Sequence, residues 1–256
     1  MITLLSDWKL RDPYIGIFKG QLLNLLPNEQ IVDISHNLDM FNLSQAAFIE
    51  ENSYHFFPRK SLHIILTGFS FSIEMRPVLI NYNEHFFLGE DTGIFSMMFG
   101  AEATIEAYQY NGDMHISATE KLAYMAMWVL QGTYLTQTNP YPSLKFQLSN
   151  LSEPDYNPEQ KIISGKIAYI DSGCNAVTNI PISMFEKAGK KSFTATVASH
   201  TRPLKITRFH PYYNSQESEL FLVYNRLGFI EITMYKGNVA ALADIKVGND
   251  IKIQFE

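Results

Sequence analysis

Two short stretches of this chain carry residue types that could act on a small molecule. Ser6-Asp7 follows the apolar run from Met1 to Leu5. An ionised carboxylate only accepts hydrogen bonds and has two oxygens to do so, so Asp7 can take both hydroxyls of a ribose. The alternative is that it caps the turn that follows. The second stretch is Asp171-Ser-Gly-Cys-Asn175, a carboxylate and an amide on one tight turn. Such a pair can receive the ammonium and carboxylate of an amino acid, although Asp, Gly and Asn are also common turn formers. Phe41, Phe69, Phe71 and Tyr235 could wall an adenine, while most aromatic residues belong to cores. The single cysteine, Cys174, fits a small buried hydrophobe better than a nucleophile.

Other chemistries find no support. The seven histidines show no HExxH pair, one cysteine cannot build a thiolate metal site, and there is no glycine-rich phosphate loop. No cofactor is therefore expected. The formal charge of -6 and pI near 5.7, with Lys and Arg scattered, give no footprint for a nucleic-acid backbone. The opening MITLLSDWKLRD lacks the charged and apolar regions of a secretory signal, and no apolar run approaches the roughly 20 residues that span a bilayer. A cytoplasmic protein without nucleic-acid or membrane partners is expected.

The elements that would position these residues can be read from periodicity. Met1 to Leu5 reads as a strand, Tyr14 to Leu26 as a helix stopped by Pro27, and Gln30 to Ser35 as a second strand. Asn42-Leu-Ser-Gln45 has a capping-box pattern and predicts a helix from Leu43 to about Phe56. Leu62 to Thr67 fits a strand buried on both faces. Pro77 to Tyr82 and His85 to Leu88 read as a hairpin, followed by a turn-rich loop at Gly89 to Gly93. Ser117-Ala-Thr-Glu120 is a second capping box, before a helix to about Leu130. The predicted class is α/β: residues 1–150 form a domain with a central, mostly parallel sheet. The Pro-, Asn- and Ser-rich segment at about 134–160 reads as a connector. Residues 161–256 hold short strands at regular spacing and predict a smaller all-β, barrel-like domain.

The order of these segments resembles the S-adenosyl-L-methionine (SAM) hydroxide adenosyltransferase family, whose fold is shared by the fluorinases and chlorinases. LLSDWKLRDPYIGIFKG is similar to the family's TDFG…D-x-Y-V-G-x-MKG, matching at Asp7, Asp12, Tyr14, Gly16, Lys19 and Gly20. IVDISHNLDMFNLSQAAFI resembles the block IVDITH and its helix. IDSGCNAVTNI is similar to ID-x-FGN-x-x-TNI, and YNRLGFIEITMYKGNVAALADIKVGNDI to the family's C-terminal block. With the diverged third block, the matches run in order over nearly the whole chain.

That third block departs from the pattern. The family's H-x-x-x-x-DPGVG-x-x-RRP aligns without a gap to HIILTGFSFSIEMRP, putting Gly68 at the catalytic Asp and Met75 at the catalytic Arg. Ser117 falls at the family's catalytic His, with His115 two residues upstream as a possible substitute. The family displaces at the ribose C5′ of SAM with water, giving adenosine and methionine without a metal. The resemblance implies that Asp7, Asp12 and Phe41 attend the nucleoside and Asp171 and Asn175 the methionine end, in a homotrimer with sites near subunit interfaces.

Bulk water has a pKa near 15.7 and needs a base or charge cluster, which glycine and methionine do not supply. The sequence thus predicts a degenerate member that binds SAM or an adenosine-like ligand with weak or no hydrolysis. Two alternatives stay open: an active enzyme with a rearranged set, such as His115 with Glu90 or Asp91, and a non-catalytic interaction protein whose pocket Phe69, Phe71 and Met75 fill.

Overall fold

The computed structural model describes residues 1–100, 105–146, 152–189, 192–198, 203–213, 219–242 and 244–256. The chain divides into two compact units, Met1–Leu148 and Ser149–Glu256.

The first unit runs β1 (Ile2–Ser6), α1 (Tyr14–Leu25), β2 (Ile31–Ser35), α2 (Leu43–Glu51), a 3-10 turn (Tyr54–Phe56), β3 (Leu62–Leu66), β4 (Val78–Tyr82), β5 (His85–Gly89), α3 (Ile94–Phe99), β6 (Glu106–Tyr110), α4 (Ala118–Leu130), α5 (Tyr134–Gln137) and β7 (Thr138–Pro140). Among the described residues its strands form one sheet in the order β2-β1-β3-β5-β4-β6-β7. The pairs β2/β1, β1/β3 and β3/β5 are parallel; β5/β4, β4/β6 and β6/β7 are antiparallel. Alternate residues of each strand face opposite sides, and both sides are covered. Ile2, Leu4, Leu62 and Ile64 pack with Phe18 and Leu22 of α1 and Leu122 of α4, whereas Leu5 and Ile65 pack with Ala46 of α2 and Phe95 of α3. The carboxyl ends of the parallel strands β1, β2 and β3 therefore open at one edge, where loops converge.

Helix boundaries follow local chemistry. Asn42 caps α2 by accepting from the Gln45 N–H at 3.0 Å, but Gln45 Oε1 accepts from Asp39 N–H instead of closing a box on Asn42. The helix predicted to reach Phe56 ends at Glu51, where Asn52 turns its side chain back to the Phe48 carbonyl. In contrast, Ser117 and Glu120 form a reciprocal capping box at α4. Within the proline-rich stretch read as a connector lie α5 and β7, and Pro140 pairs at the sheet edge, where a missing N–H is tolerated.

The second unit runs β8 (Asp155–Asn157), β9 (Ile162–Ile170), β10 (Ala176–Pro181), α6 (Ile182–Ala188), β11 (Phe193–Val197), β12 (Leu204–Ile206), β13 (Phe209–His210), β14 (Phe221–Tyr224), β15 (Phe229–Thr233), α7 (Val239–Leu242) and β16 (Asp250–Phe255). Its strands form a curled sheet in the order β12-β11-β16-β9-β10-β15-β14-β13, with β8 beside β9, antiparallel except at β13/β14. The smaller β domain is as the sequence predicts, with two short helices, α6 and α7, set between its strands. In α6, Pro181 stands at the N-terminus and left-handed Gly189 (φ 97°) stops the C-terminus, the end signals those residues supply. No helix among the described residues is long and apolar enough to cross a membrane.

Candidate functional site

The strand ends of the first unit frame a pocket of about 530 Å³ lined by Asp7, Trp8, Lys9, Asp12, Tyr14, Met40, Phe41, Phe69 and Phe71. Asp7, the first residue after β1, is 7% exposed. Its Oδ2 accepts the backbone N–H of Phe41 at 2.9 Å and of Gly68 at 3.2 Å. One carboxylate thus ties together the loops after β1, β2 and β3. Both acceptor directions of Oδ2 are used, while Oδ1 bonds nothing among the described residues and keeps its accepting capacity.

The pocket walls are aromatic. Trp8 meets Phe69 edge-on at 5.6 Å between centroids and Phe71 at a tilted 5.1 Å, and Phe69 meets Phe71 edge-on at 5.4 Å. Phe69 is 6% exposed and seated, whereas Phe41 and Phe71 are 67% and 63% exposed. Of the lining residues the sequence singles out Asp7, Asp12, Phe41, Phe69 and Phe71 as candidates and Tyr14 only as a motif match, and it gives no role to Trp8, Lys9 or Met40. The adjacency of Trp8 and Lys9 to Asp7 was the available signal. Lys9 has a left-handed backbone (φ 62°) and donates its ammonium to the Leu38 carbonyl, fastening the β2–α2 loop. Below the pocket Ser6 Oγ bonds His36 Nδ1 at 2.7 Å, and His36 Nε2 lies 3.0 Å from Asp33 Oδ1, whose other oxygen takes Lys19 Nζ at 2.6 Å. Burial pushes the Asp33 carboxyl up, but its bonds to Lys19 and His36 outweigh this and hold it below its ordinary value.

The residues aligned with a catalytic set are otherwise occupied. Gly68 is left-handed (φ 65°), and a Cβ there would lie 3.1 Å from Leu43 Cδ2. Met75 is 6% exposed and packed in the core with Tyr110, Ala118 and Leu122. Ser117 Oγ accepts the Glu120 N–H at 3.3 Å and lies 2.6 Å from Glu120 Oε2, a capping role. His115 is exposed, and its backbone N–H donates to Asp113 Oδ1. Glu90 and Asp91 serve backbone: Glu90 Oε2 accepts Ser70 N–H at 2.6 Å, and Asp91 Oδ2 accepts Lys145 N–H at 2.7 Å and the Tyr141 hydroxyl at 3.2 Å. Neither Met75 nor any other of these lines the aromatic pocket.

In the second unit the turn between β9 and β10 is closed by its own side chains. Asp171 Oδ1 accepts the Asn175 N–H at 2.8 Å and Oδ2 the Asn175 side-chain amide at 3.0 Å, while Thr233 Oγ1 of β15 donates to Asn175 Oδ1 at 2.7 Å. Cys174 is half-buried with φ 61°, and a side chain at Gly173 would strike Asn175 Nδ2 at 2.9 Å. Asn175 lines a pocket of about 290 Å³ with Gly173, Tyr213, Thr233, Tyr235 and Lys236. The aromatic Tyr235 therefore belongs to this second pocket. Deeper, the Tyr213 hydroxyl donates to Glu231 Oε1 at 2.6 Å. Burial and then the Asp171 carboxylate raise the Glu231 carboxyl above its ordinary value, against the Tyr213 bond, which lowers it. Tyr213 is likewise raised, by burial first and then by Glu231. Nothing in the local sequence marked Tyr213 or Glu231 as partners.

Comparison with known proteins gives a consistent result. The models of the SAM hydroxide adenosyltransferase N-terminal and C-terminal domains match residues 2–138 and 165–252. The chain is 22% identical over 267 residues to an (R)-S-adenosyl-L-methionine hydrolase from Methanocaldococcus jannaschii, with 99% of this chain and 95% of that protein covered. Its structure is similar to that of an uncharacterized conserved protein from Thermotoga maritima, with a TM-score of 0.84 at 20% identity and full coverage of both chains. A conserved hypothetical protein from Thermus thermophilus superposes with a TM-score of 0.70 at 18% identity over 98% of each chain.

Proposed function

Since the chain belongs to the SAM hydroxide adenosyltransferase family, we propose that it binds SAM or an adenosine-like nucleoside and hydrolyses SAM slowly or not at all. The observation that carries the binding half is Asp7: it lines an aromatic-walled pocket, its Oδ2 is committed to two loop N–H groups, and its Oδ1 has no partner among the described residues. A fixed acceptor beside stacking surfaces suits a ribose next to a flat base. In this reading Asp7 takes the ribose hydroxyls, Asp12 borders the same ligand, and Phe41, Phe69 and Phe71 flank the adenine with Trp8. Asp171 and Asn175 receive the methionine end, each retaining accepting or donating capacity beyond its bond to the other.

Loss of hydrolysis follows from what the residues aligned with the family's acid, guanidinium and imidazole do. Gly68, Met75 and Ser117 offer a turn, core packing and a helix cap. None supplies a base to deprotonate a water or a cation to stabilise the charge that develops. A sulfonium is a good leaving group, so alignment and desolvation leave at most slow turnover. Engagement of Glu90 and Asp91 by backbone N–H groups weighs against a rearranged set with His115, and the open pocket weighs against a filled one. The family resemblance also supports a cytoplasmic homotrimer, for which sedimentation should give three times 29.3 kDa.

Calorimetric titration with adenosine, SAM and methionine tests the reading. Saturable binding of adenosine, with no adenosine released from SAM, is expected. Absence of binding by both adenosine and SAM would overturn it, and rapid adenosine release abolished by His115→Ala would favour the rearranged enzyme.

A further inference from the structure

Helix α4 carries a lysine where its pattern calls for an apolar residue. Ala118, Leu122, Met125, Ala126 and Val129 form the buried stripe at helical spacing, and Lys121 lies on the same stripe, 0% exposed. A buried ammonium is costly unless it is hydrogen-bonded. No carboxylate pairs with Lys121 among the described residues. Its Nζ donates instead to the backbone carbonyls of Ile73 and Met75, the latter at 3.2 Å. Burial, and then the nearby Arg76, lower its affinity for the proton, while Asp113 acts the other way.

Both carbonyls belong to the connection from β3 to β4, residues 67–77, which contains no helix or strand. Backbone polar groups in such a segment must find partners outside secondary structure. The segment is fastened at three places: Gly68 N–H to Asp7, Ser70 N–H to Glu90, and the Ile73 and Met75 carbonyls to Lys121. Between the first and third lie Phe69 and Phe71, which meet Trp8 in the pocket wall. We propose that Lys121 is a positioning residue: its buried ammonium clamps the β3–β4 connection and thereby sets Phe69 and Phe71 against Trp8. Its importance for ligand affinity rests on the function proposed above; its action on the connection does not.

The test uses full-length protein carrying Trp128→Phe, so that Trp8 is the sole indole. Lys121→Met keeps the length and apolar stem but removes the donor, and Lys121→Arg keeps the cation. In Lys121→Met, Trp8 emission should shift to the red, chymotrypsin should cut after Phe71 at least about fivefold faster, and adenosine affinity should fall about tenfold. The arginine variant should restore emission and cleavage toward the parent values, which also keeps the test decisive if the methionine variant fails to fold. Unchanged emission and cleavage in Lys121→Met, or an arginine variant as perturbed as a misfolded methionine one, would overturn the clamp. If the parent binds no adenosine, the functional reading fails, while emission and cleavage still decide the role of Lys121.

Discussion

Asp7 and Gly68, 61 residues apart in sequence, are joined by a 3.2 Å hydrogen bond from the Gly68 N–H to Asp7 Oδ2. Gly68, which the sequence resemblance sets against the family's catalytic acid, is in the fold a backbone donor to the candidate ribose acceptor. Gly68 can do this because its left-handed backbone carries no side chain into Leu43.

Restoring the family residue should therefore fail for a structural reason. Gly68→Asp places a Cβ at φ 65° and 3.1 Å from Leu43 Cδ2, and we expect a loss of about 1–2 kcal/mol in urea unfolding. The triple change Gly68→Asp, Met75→Arg and Ser117→His should release no more adenosine from SAM than the wild type. A chromatographic assay showing faster release would contradict this.

The division of labour between the two pockets can be read with two substitutions. Asp7→Asn keeps an oxygen for the Phe41 and Gly68 N–H groups but replaces the remaining acceptor by an amide donor, so adenosine should bind roughly 10-fold or more weaker with little change in melting temperature. Asn175→Ala should leave adenosine affinity unchanged and weaken only ligands carrying the methionine end. Calorimetry showing equal effects of both changes on adenosine would refute the assignment.

Glu231 gives the second unit a pH dependence. It is 2% exposed, and its carboxyl is held above the ordinary value of 4.5, by burial first and the Asp171 carboxylate next. A carboxyl that keeps its proton longer in the folded chain stabilises the fold relative to higher pH, and that contribution declines as pH rises from the ordinary value through the raised one. Glu231→Gln can still accept from the Tyr213 hydroxyl and cannot ionise. Its melting temperature should match wild type near about pH 4 and exceed it at about pH 8. Parallel melting curves across that range would count against the buried carboxyl as the cause.

The capping role of Ser117 predicts a cost unconnected with chemistry. Ser117→Ala and Ser117→His both remove the oxygen that accepts the Glu120 N–H, and each should lower stability by about 1 kcal/mol, whereas Ser117→Asp should be nearly neutral. Denaturant midpoints decide this. A neutral histidine variant would show that the box is dispensable.

Periodicity and end signals determined the alternation of strands and helices in the first unit, since apolar residues at spacings of two and near four must face a common core whatever surrounds them. The runs Met1 to Leu5 and Leu62 to Thr67 are strands for that reason, whereas their parallel pairing side by side was decided by the tertiary fold. The order of motif blocks was likewise enough to identify the family, and it drew attention to Asp7, Asp171 and Asn175. Sequence patterning could not show that one Asp7 oxygen is consumed by two loops, that Asp171 and Asn175 bond each other, or that Glu90 and Asp91 serve backbone N–H groups, because each contact depends on loop paths fixed by packing. Lys121 is the clearest case. By composition it is a surface residue four positions into a capped helix, and only the irregular β3–β4 connection, lying against the buried face of α4 with two carbonyls to satisfy, makes an ammonium stable there.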